Sequence, residues 1–308
     1  MQQSLTILNQ VLIMAVLIAI GFVLAKKGKL SKKTAEDMTF FVFKIATPCV
    51  IIKSFVEVDF TAGYFNKLIM AAVMAVITHL LGFLFGLVFN IFCDRKTAAV
   101  YRFGCLISNA GFIALPLAQA VLGAESVLLV GVYIIFLNIF TWTLGKAYFD
   151  KDKKPKISAM LINPGTIGAV GGIIAVLIKS VYMPEIILSS VNALAAVNMP
   201  VAMIITGYYL VGTDMRSVVK DKLLWLTVAI RHIILPCCAM LIYRYLLGIS
   251  SLELCSAIIP ACAPCAVIVI MFAASFGGDE KEACKTASVS TVLSIVTMPL
   301  ILSLCSIL

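Results

Sequence analysis

Ser108-Asn109-Ala110-Gly111-Phe112-Ile113-Ala114-Leu115-Pro116 sits in the middle of an apolar run, 99–121, that is long enough to cross a bilayer. Proline withholds a backbone donor and disfavours helix just before it, so carbonyls and amides near residues 108–116 lose their helical partners. Hydrocarbon offers no replacement. Interrupted backbone at bilayer depth is tolerated where protein buries it or where it lines a water-filled cavity, which makes this stretch a candidate substrate site. The plainer reading is a packing kink, since proline is common in membrane helices. A second interruption, Pro260-Ala261-Cys262-Ala263-Pro264-Cys265, weighs against that reading because it falls at the corresponding place in a later run. Paired broken helices mark a midplane binding site.

Working outward, continuously apolar runs recur over 5–25, 38–56, 67–92, 126–148, 157–179, 185–212, 222–247, 252–276 and 283–307. With 99–121 they predict ten transmembrane helices in an all-α integral membrane protein. The chain is 62% hydrophobic and 13% charged, with a mean hydropathy of +1.09, beyond what a soluble core accounts for. A β-barrel would show short alternating segments instead. The first run is too long for a signal-peptide core and is followed by Lys26, Lys27 and Lys29, so it reads as a retained helix.

The net charge of +9 does not point to nucleic acid, because the basic residues occupy short connections. Odd-numbered connections and adjoining helix ends carry 18 Lys and Arg residues, whereas the even ones carry only Lys67, Lys179 and Arg244. The positive-inside rule then makes the odd connections cytoplasmic and places both termini on the outer side of the plasma membrane. The ten cysteines read as packing residues; the Cys262-x-x-Cys265 pair has no second ligand pair, and neither a metal nor a cofactor is expected.

A shift of about 152–155 residues sets Pro48 on Pro200, Asn9 on Asn163, Asn109 on Pro264, and Gly123-Ala124-Glu125 on Gly278-Asp279-Glu280. This suggests two five-helix repeats, 1–148 and 157–308, joined by the linker 149–156; with five helices each, the second inserts upside down. If the two broken helices cross, the second segment of each begins with free N–H groups and a positive dipole end. That geometry favours an anion, particularly a carboxylate.

Candidate substrate-binding residues are therefore Ser108, Asn109, Ala110, Gly111, Pro116, Cys262, Pro264 and Cys265. Arg231, ten residues into its helix and followed by His232, is a candidate charge contact, with bonding to the carbonyls of a broken helix as the alternative. Lys44 and Lys53 read as snorkelling side chains, and His79 as a packing residue. No Asp or Glu falls near the centre of a run, which favours movement uncoupled from protons or sodium, although a sodium- or proton-coupled symporter stays open. An intramembrane enzyme lacks its Asp pair, G-x-S-x-G or H-E-x-x-H pattern, and a non-transporting receptor is the remaining alternative.

Several stretches resemble the auxin efflux carrier (PIN-type) family, as found in bacterial permeases. They are Gly21-Phe22-Val23-Leu24-Ala25-Lys26-Lys27-Gly28, the surroundings of Pro48, Asn109 to Leu117, Phe272 to Asp279, and the Ser/Thr-rich run ending in Thr297-Met298-Pro299. Together they cover essentially the whole chain. The resemblance implies crossed helices 4 and 9, a fold like that of sodium–bile-acid symporters, and a scaffold of helices 1, 2, 6 and 7. It implies that the other six helices move as an elevator, and it leaves a homodimer open. It also implies a weak organic acid such as malate, malonate or an auxin-like compound as cargo. The chain departs from the plant members in having only Lys146 to Lys156 at its midpoint, and in carrying Cys265 where they have a polar amide.

Overall fold

A computed structural model describes residues 2–58, 63–149, 164–179, 184–211, 215–249, 251–305 and 307. The linker expected at 149–156, beyond Phe149, and the start of the helix expected at 157 lie outside these residues. Local signals set the helix starts on the basic connections. Ser31, Asp94 and Asp221 each turn a side-chain oxygen onto the N–H two or three residues ahead, capping the helices that follow. For the second helix this moves the start to Lys32, six residues before the apolar run begins, because the cap and not hydrophobicity decides where the first turn forms.

The described residues form α1 (Gln2–Lys26), α2 (Lys32–Glu57) and α3 (Tyr64–Phe92). Next come α4a (Arg95–Leu106) and α4b (Ala110–Leu122), then α5 (Ala124–Phe149), α6 (Pro164–Lys179) and α7 (Glu185–Tyr209). The chain continues through α8 (Lys222–Leu246), α9a (Ser251–Cys262), α9b (Ile268–Phe276) and α10 (Glu280–Cys305). Seven of these are long and apolar enough to cross a membrane, and Ala110–Leu122, Thr166–Val176 and Leu252–Cys262 are shorter apolar helices. Two of the short ones exist because the expected breaks occur, between α4a and α4b and between α9a and α9b. Among the described residues there is no strand, only one isolated bridge.

Glycine decides which helices come close. A Cβ on Gly21 of α1 would collide with the carbonyl of Ile204 in α7, and one on Gly207 of α7 with the carbonyl of Ile18 in α1. The two backbones therefore touch at reciprocal glycines, the close approach that small residues allow between membrane helices. On α6, Gly168, Gly171 and Gly172 receive Ile51, Ile52 and Phe55 of α2. The pairs α1–α7 and α2–α6 thus form by the same device, and α2 also packs on α7.

Five turns among the described residues are widened to i→i+5 geometry; Thr141–Gly145 and Ile242–Leu246 have no proline just after them, and the other three are Val42–Ala46, Ala110–Ala114 and Ile230–Ile234. Each of these three ends two residues before a proline: Pro48, Pro116 and Pro236. Proline at position i has no N–H and its ring crowds the carbonyl at i−4, so a regular α-turn cannot close there; widening it relieves the clash. The carbonyls of Lys44, Phe112 and His232 are the i−4 groups released. All three breaks in regularity adjoin the site described next.

Candidate substrate site at a helix crossover

Between α4a and α4b the chain leaves the helix over 107–109, extended at Ile107, and it meets the non-helical stretch between α9a and α9b. Ser108 and Cys265 form an antiparallel bridge: the Asn109 N–H donates to the Pro264 carbonyl at 2.7 Å, and the Ala266 N–H to the Ile107 carbonyl at 3.0 Å. The two interruptions satisfy each other's backbone, which explains how polar chain survives at this depth. Gly82 of α3 makes room, since a Cβ there would stand 2.6 Å from the Cys105 carbonyl.

Each bridge residue is backed by a hydroxyl and a histidine. Behind Cys265, its N–H donates to the Ser290 Oγ of α10 at 2.8 Å, and His232 Nε2 lies 2.7 Å from the same oxygen. His232 Nδ1 is 2.8 Å from Thr297 Oγ1, which donates to the Leu293 carbonyl. The hydrogen-bond pattern therefore makes Nδ1 the protonated nitrogen and Nε2 the acceptor of the Ser290 hydroxyl. Behind Ser108, its hydroxyl lies 3.4 Å from that of Tyr133 in α5, whose ring packs on His79 with centroids 4.8 Å apart. His79 Nδ1 meets the Ala75 carbonyl at 2.6 Å.

A cavity of about 340 Å³ opens against this crossover. Ile107, Ser108, Asn109, Gly111 and Phe112 form one wall with Ala266, Val267 and Ile268, so the starts of both second half-helices border it. Asn138, Thr141 and Trp142 of α5 continue that wall, and Phe43, Lys44 and Tyr209 from α2 and α7 face it. The lining runs on to Glu36 and Met271, toward the ends of α2 and α9b that adjoin odd-numbered connections. A second cavity of about 190 Å³ lies beyond the crossover, lined by Lys53, Pro116, Gln119, Asn198 and Pro200 among others. Along α2 the first cavity reaches Lys44 and the second begins at Lys53, with residues 45–52 between them. Phe43 packs at a tilt against Phe112 with centroids 5.0 Å apart, and Thr47 donates to Asn198 at 2.9 Å.

Of the residues singled out from sequence, Ser108, Asn109 and Gly111 line the first cavity. Asn109 is 6% exposed and its Nδ2 is buried with no hydrogen-bond partner among the described residues. Ala110, Cys262, Pro264 and Cys265 lie behind the wall as buried packing and backbone, and Pro116 borders the second cavity. Arg231 is wholly buried and is bonded to the carbonyls of Ala263, Cys105 and Pro260, so of its two readings the carbonyl-bonding one holds. His232 is taken up by Ser290 and Thr297.

Lys44, expected to snorkel, is exposed and lies among the residues lining the first cavity. Lys44 lies in the widened turn 42–46, which ends two residues before Pro48. The sequence signal for it, a lysine four residues before a mid-helix proline, was present but ambiguous. Asn138 and Thr141, at i and i+3 within an apolar span, carried a similar unused signal.

At each end of the bundle charges are paired. Lys67 of α3 bridges Glu125 at 2.7 Å and Glu253 at 3.0 Å. At the other end Lys285 of α10 pairs with Asp221, and with Glu282 at 2.6 Å, while the Tyr101 hydroxyl donates to Glu282 at 2.7 Å. Burial opposes ionisation of Asp221, but the Lys285 ammonium and the Leu224 N–H outweigh it and hold the carboxyl below its usual range.

A bundle of lipid-length helices with two interrupted helices crossing at a cavity is the architecture of a membrane transport protein. The membrane transport protein family matches the chain over residues 6–160 and 153–302, and the protein belongs to it, the auxin efflux carrier family. No curated protein matches the chain closely enough to be named as a relative.

Proposed function

We propose that this protein is a secondary carrier for a small organic anion of the carboxylate class. The observation that carries the reading is the unpaired Asn109 amide at the edge of the crossover, bordered by the starts of α4b and α9b and faced by Lys44. The first N–H groups of a helix have no intrahelical acceptors, and its dipole is positive there, so both half-helices favour negative charge at the same spot. Asn109, Ser108 and the backbone around Gly111 would hold the carboxylate, with Lys44 offsetting its charge. Pro264 and Cys265 brace the site from behind, and the apolar remainder of the cavity would receive the carbon skeleton.

Alternating access would work as an elevator, with α1, α2, α6 and α7 as the scaffold and the remaining helices as the moving body. Supporting this, cavities lie at either end of residues 45–52 of α2, and α2 and α7 form the wall opposite the crossover. The same reading divides ten spans into inverted repeats, 1–148 and 157–308. His79–Tyr133–Ser108 and His232–Ser290–Cys265 are then counterparts, as are the ion clusters around Lys67 and Lys285. Reciprocal glycine contacts in α1–α7 and α2–α6 fit that symmetry. By the positive-inside count the larger cavity faces the cytoplasm of the plasma membrane.

The test is flux. Purified protein in liposomes, screened with radiolabelled mono- and dicarboxylates in counterflow, is expected to exchange at least one of them above protein-free vesicles. Movement of none would overturn the reading.

A further inference from the structure

Arg231 answers three carbonyls, and each is orphaned for an identifiable reason. In a continuous helix the Cys105 carbonyl would accept the Asn109 N–H, but that group is given to Pro264 across the crossover. The Pro260 carbonyl would accept from residue 264, which is proline and has no N–H. The Ala263 carbonyl lies past the end of α9a, in the break before Ile268. Arg231 Nη1 donates to the first at 3.1 Å, Nη2 to the second at 3.0 Å, and Nε to the third at 2.9 Å.

These carbonyls belong to the C-terminal ends of α4a and α9a, the negative ends of two half-helix dipoles. Unwound carbonyls and half-helix C-terminal ends are what carriers of this general construction present to a coupling metal cation. A guanidinium there supplies the same charge, with planar donors that a spherical ion lacks. His232 shares the turn, but both its ring nitrogens are taken by hydroxyls of α10, Ser290 and Thr297.

We propose that Arg231 is the resident cation of the crossover, holding the place where a coupling sodium ion would bind, so that this carrier works without sodium. The proposal rests on the reading of the chain as a crossover carrier. It makes Arg231 a positioning residue: it holds α4a and α9a so that Asn109 and the paired half-helix starts border the cavity, and it does not itself touch cargo.

The test reads thermal unfolding of the purified full-length protein, with sodium chloride replaced by choline chloride at constant ionic strength. The wild type is expected to keep its Tm within about 1 °C across the series. Arg231→Ala is expected to have a lower Tm that rises by roughly 2–4 °C, saturably, with millimolar sodium or guanidinium, as ligand linkage predicts for a vacated cation site. Arg231→Lys, which keeps a cation, should be as indifferent to sodium as the wild type, and this comparison stands even if Arg231→Ala does not fold.

A saturable, sodium-specific rise in the wild type or in Arg231→Lys would overturn the proposal. So would a folded Arg231→Ala that responds to neither cation. Because the readout is unfolding, a failed carboxylate panel would sink the carrier reading and leave these outcomes interpretable. Sodium-dependent flux would sink this proposal alone.

Discussion

Replacing Asn109 separates binding from folding more cleanly than any other single change. Its Nδ2 makes no bond in the described protein, while its backbone N–H holds the crossover through Pro264. Asn109→Ala keeps the backbone bond and removes only the unused donor, so stability should stay within about 1 kcal/mol of the wild type. A hydrogen bond to a charged acceptor contributes about 1.5–3 kcal/mol, and that is the binding energy the variant would lose. At 25 °C this corresponds to a rise in the half-saturating anion concentration of about 10- to 150-fold. Counterflow in liposomes measures the affinity, and thermal unfolding in detergent measures the stability. Asn109→Asp, which sets a carboxylate against a carboxylate, should abolish exchange while still folding. An Asn109→Ala protein with half-saturation within about twofold of wild type would refute the reasoning, because the cavity wall would then hold no substrate donor.

Lys44→Ala should weaken anion affinity by about fivefold or more, with the loss shrinking at high salt because Lys44 lies open to the cavity, and Lys44→Arg should retain most of it; salt-dependent uptake kinetics check this. Gly207→Val drives a side chain into the Ile18 carbonyl and should prevent assembly of α1 on α7, seen as aggregation on size-exclusion chromatography. Lys285→Met leaves Asp221 and Glu282 without their shared cation and should destabilise by about 1–3 kcal/mol, measured as a fall in Tm. Asp221 titrates below its ordinary value when folded, so its contribution is present above the unfolded carboxylate range and is lost as pH falls through the lower folded value. Scanning Tm from pH 7 down to about pH 3 should therefore show a steeper acid loss in the wild type than in Asp221→Asn.

Much of this was legible in the chain because the signals are local. A run of apolar residues senses the bilayer regardless of its neighbours, and Pro264 removes a hydrogen bond in the break of the ninth run; Pro116 lies within α4b and precedes no break, only the widened turn 110–114, so in the fourth run the break at 107–109 falls on the polar Ser108-Asn109 pair instead. The start of the second helix at Lys32 was misjudged because Ser31 is a polar cap outside the hydrophobic pattern. Lys44 was harder: hydropathy gives its depth along the helix but not its azimuth, and only the packed structure sets it among the residues lining the first cavity. Cys262 and Pro116 belonged to the interrupted stretches yet point elsewhere, because a stretch has two faces and only packing chooses between them.

The sequence by itself determined the solvent, the helical class, the family resemblance and the two places where helix must fail. Those properties follow from composition and from backbone chemistry within a few residues. Only the tertiary structure decided who satisfies the broken ends. Asn109 finds Pro264 across 155 positions of chain, and Arg231 reaches Cys105 and Pro260 from a third helix. An orphaned carbonyl in lipid must find a donor, but which donor depends on which helices meet, and that is settled by close contacts such as Gly82 on Cys105 that no local pattern encodes.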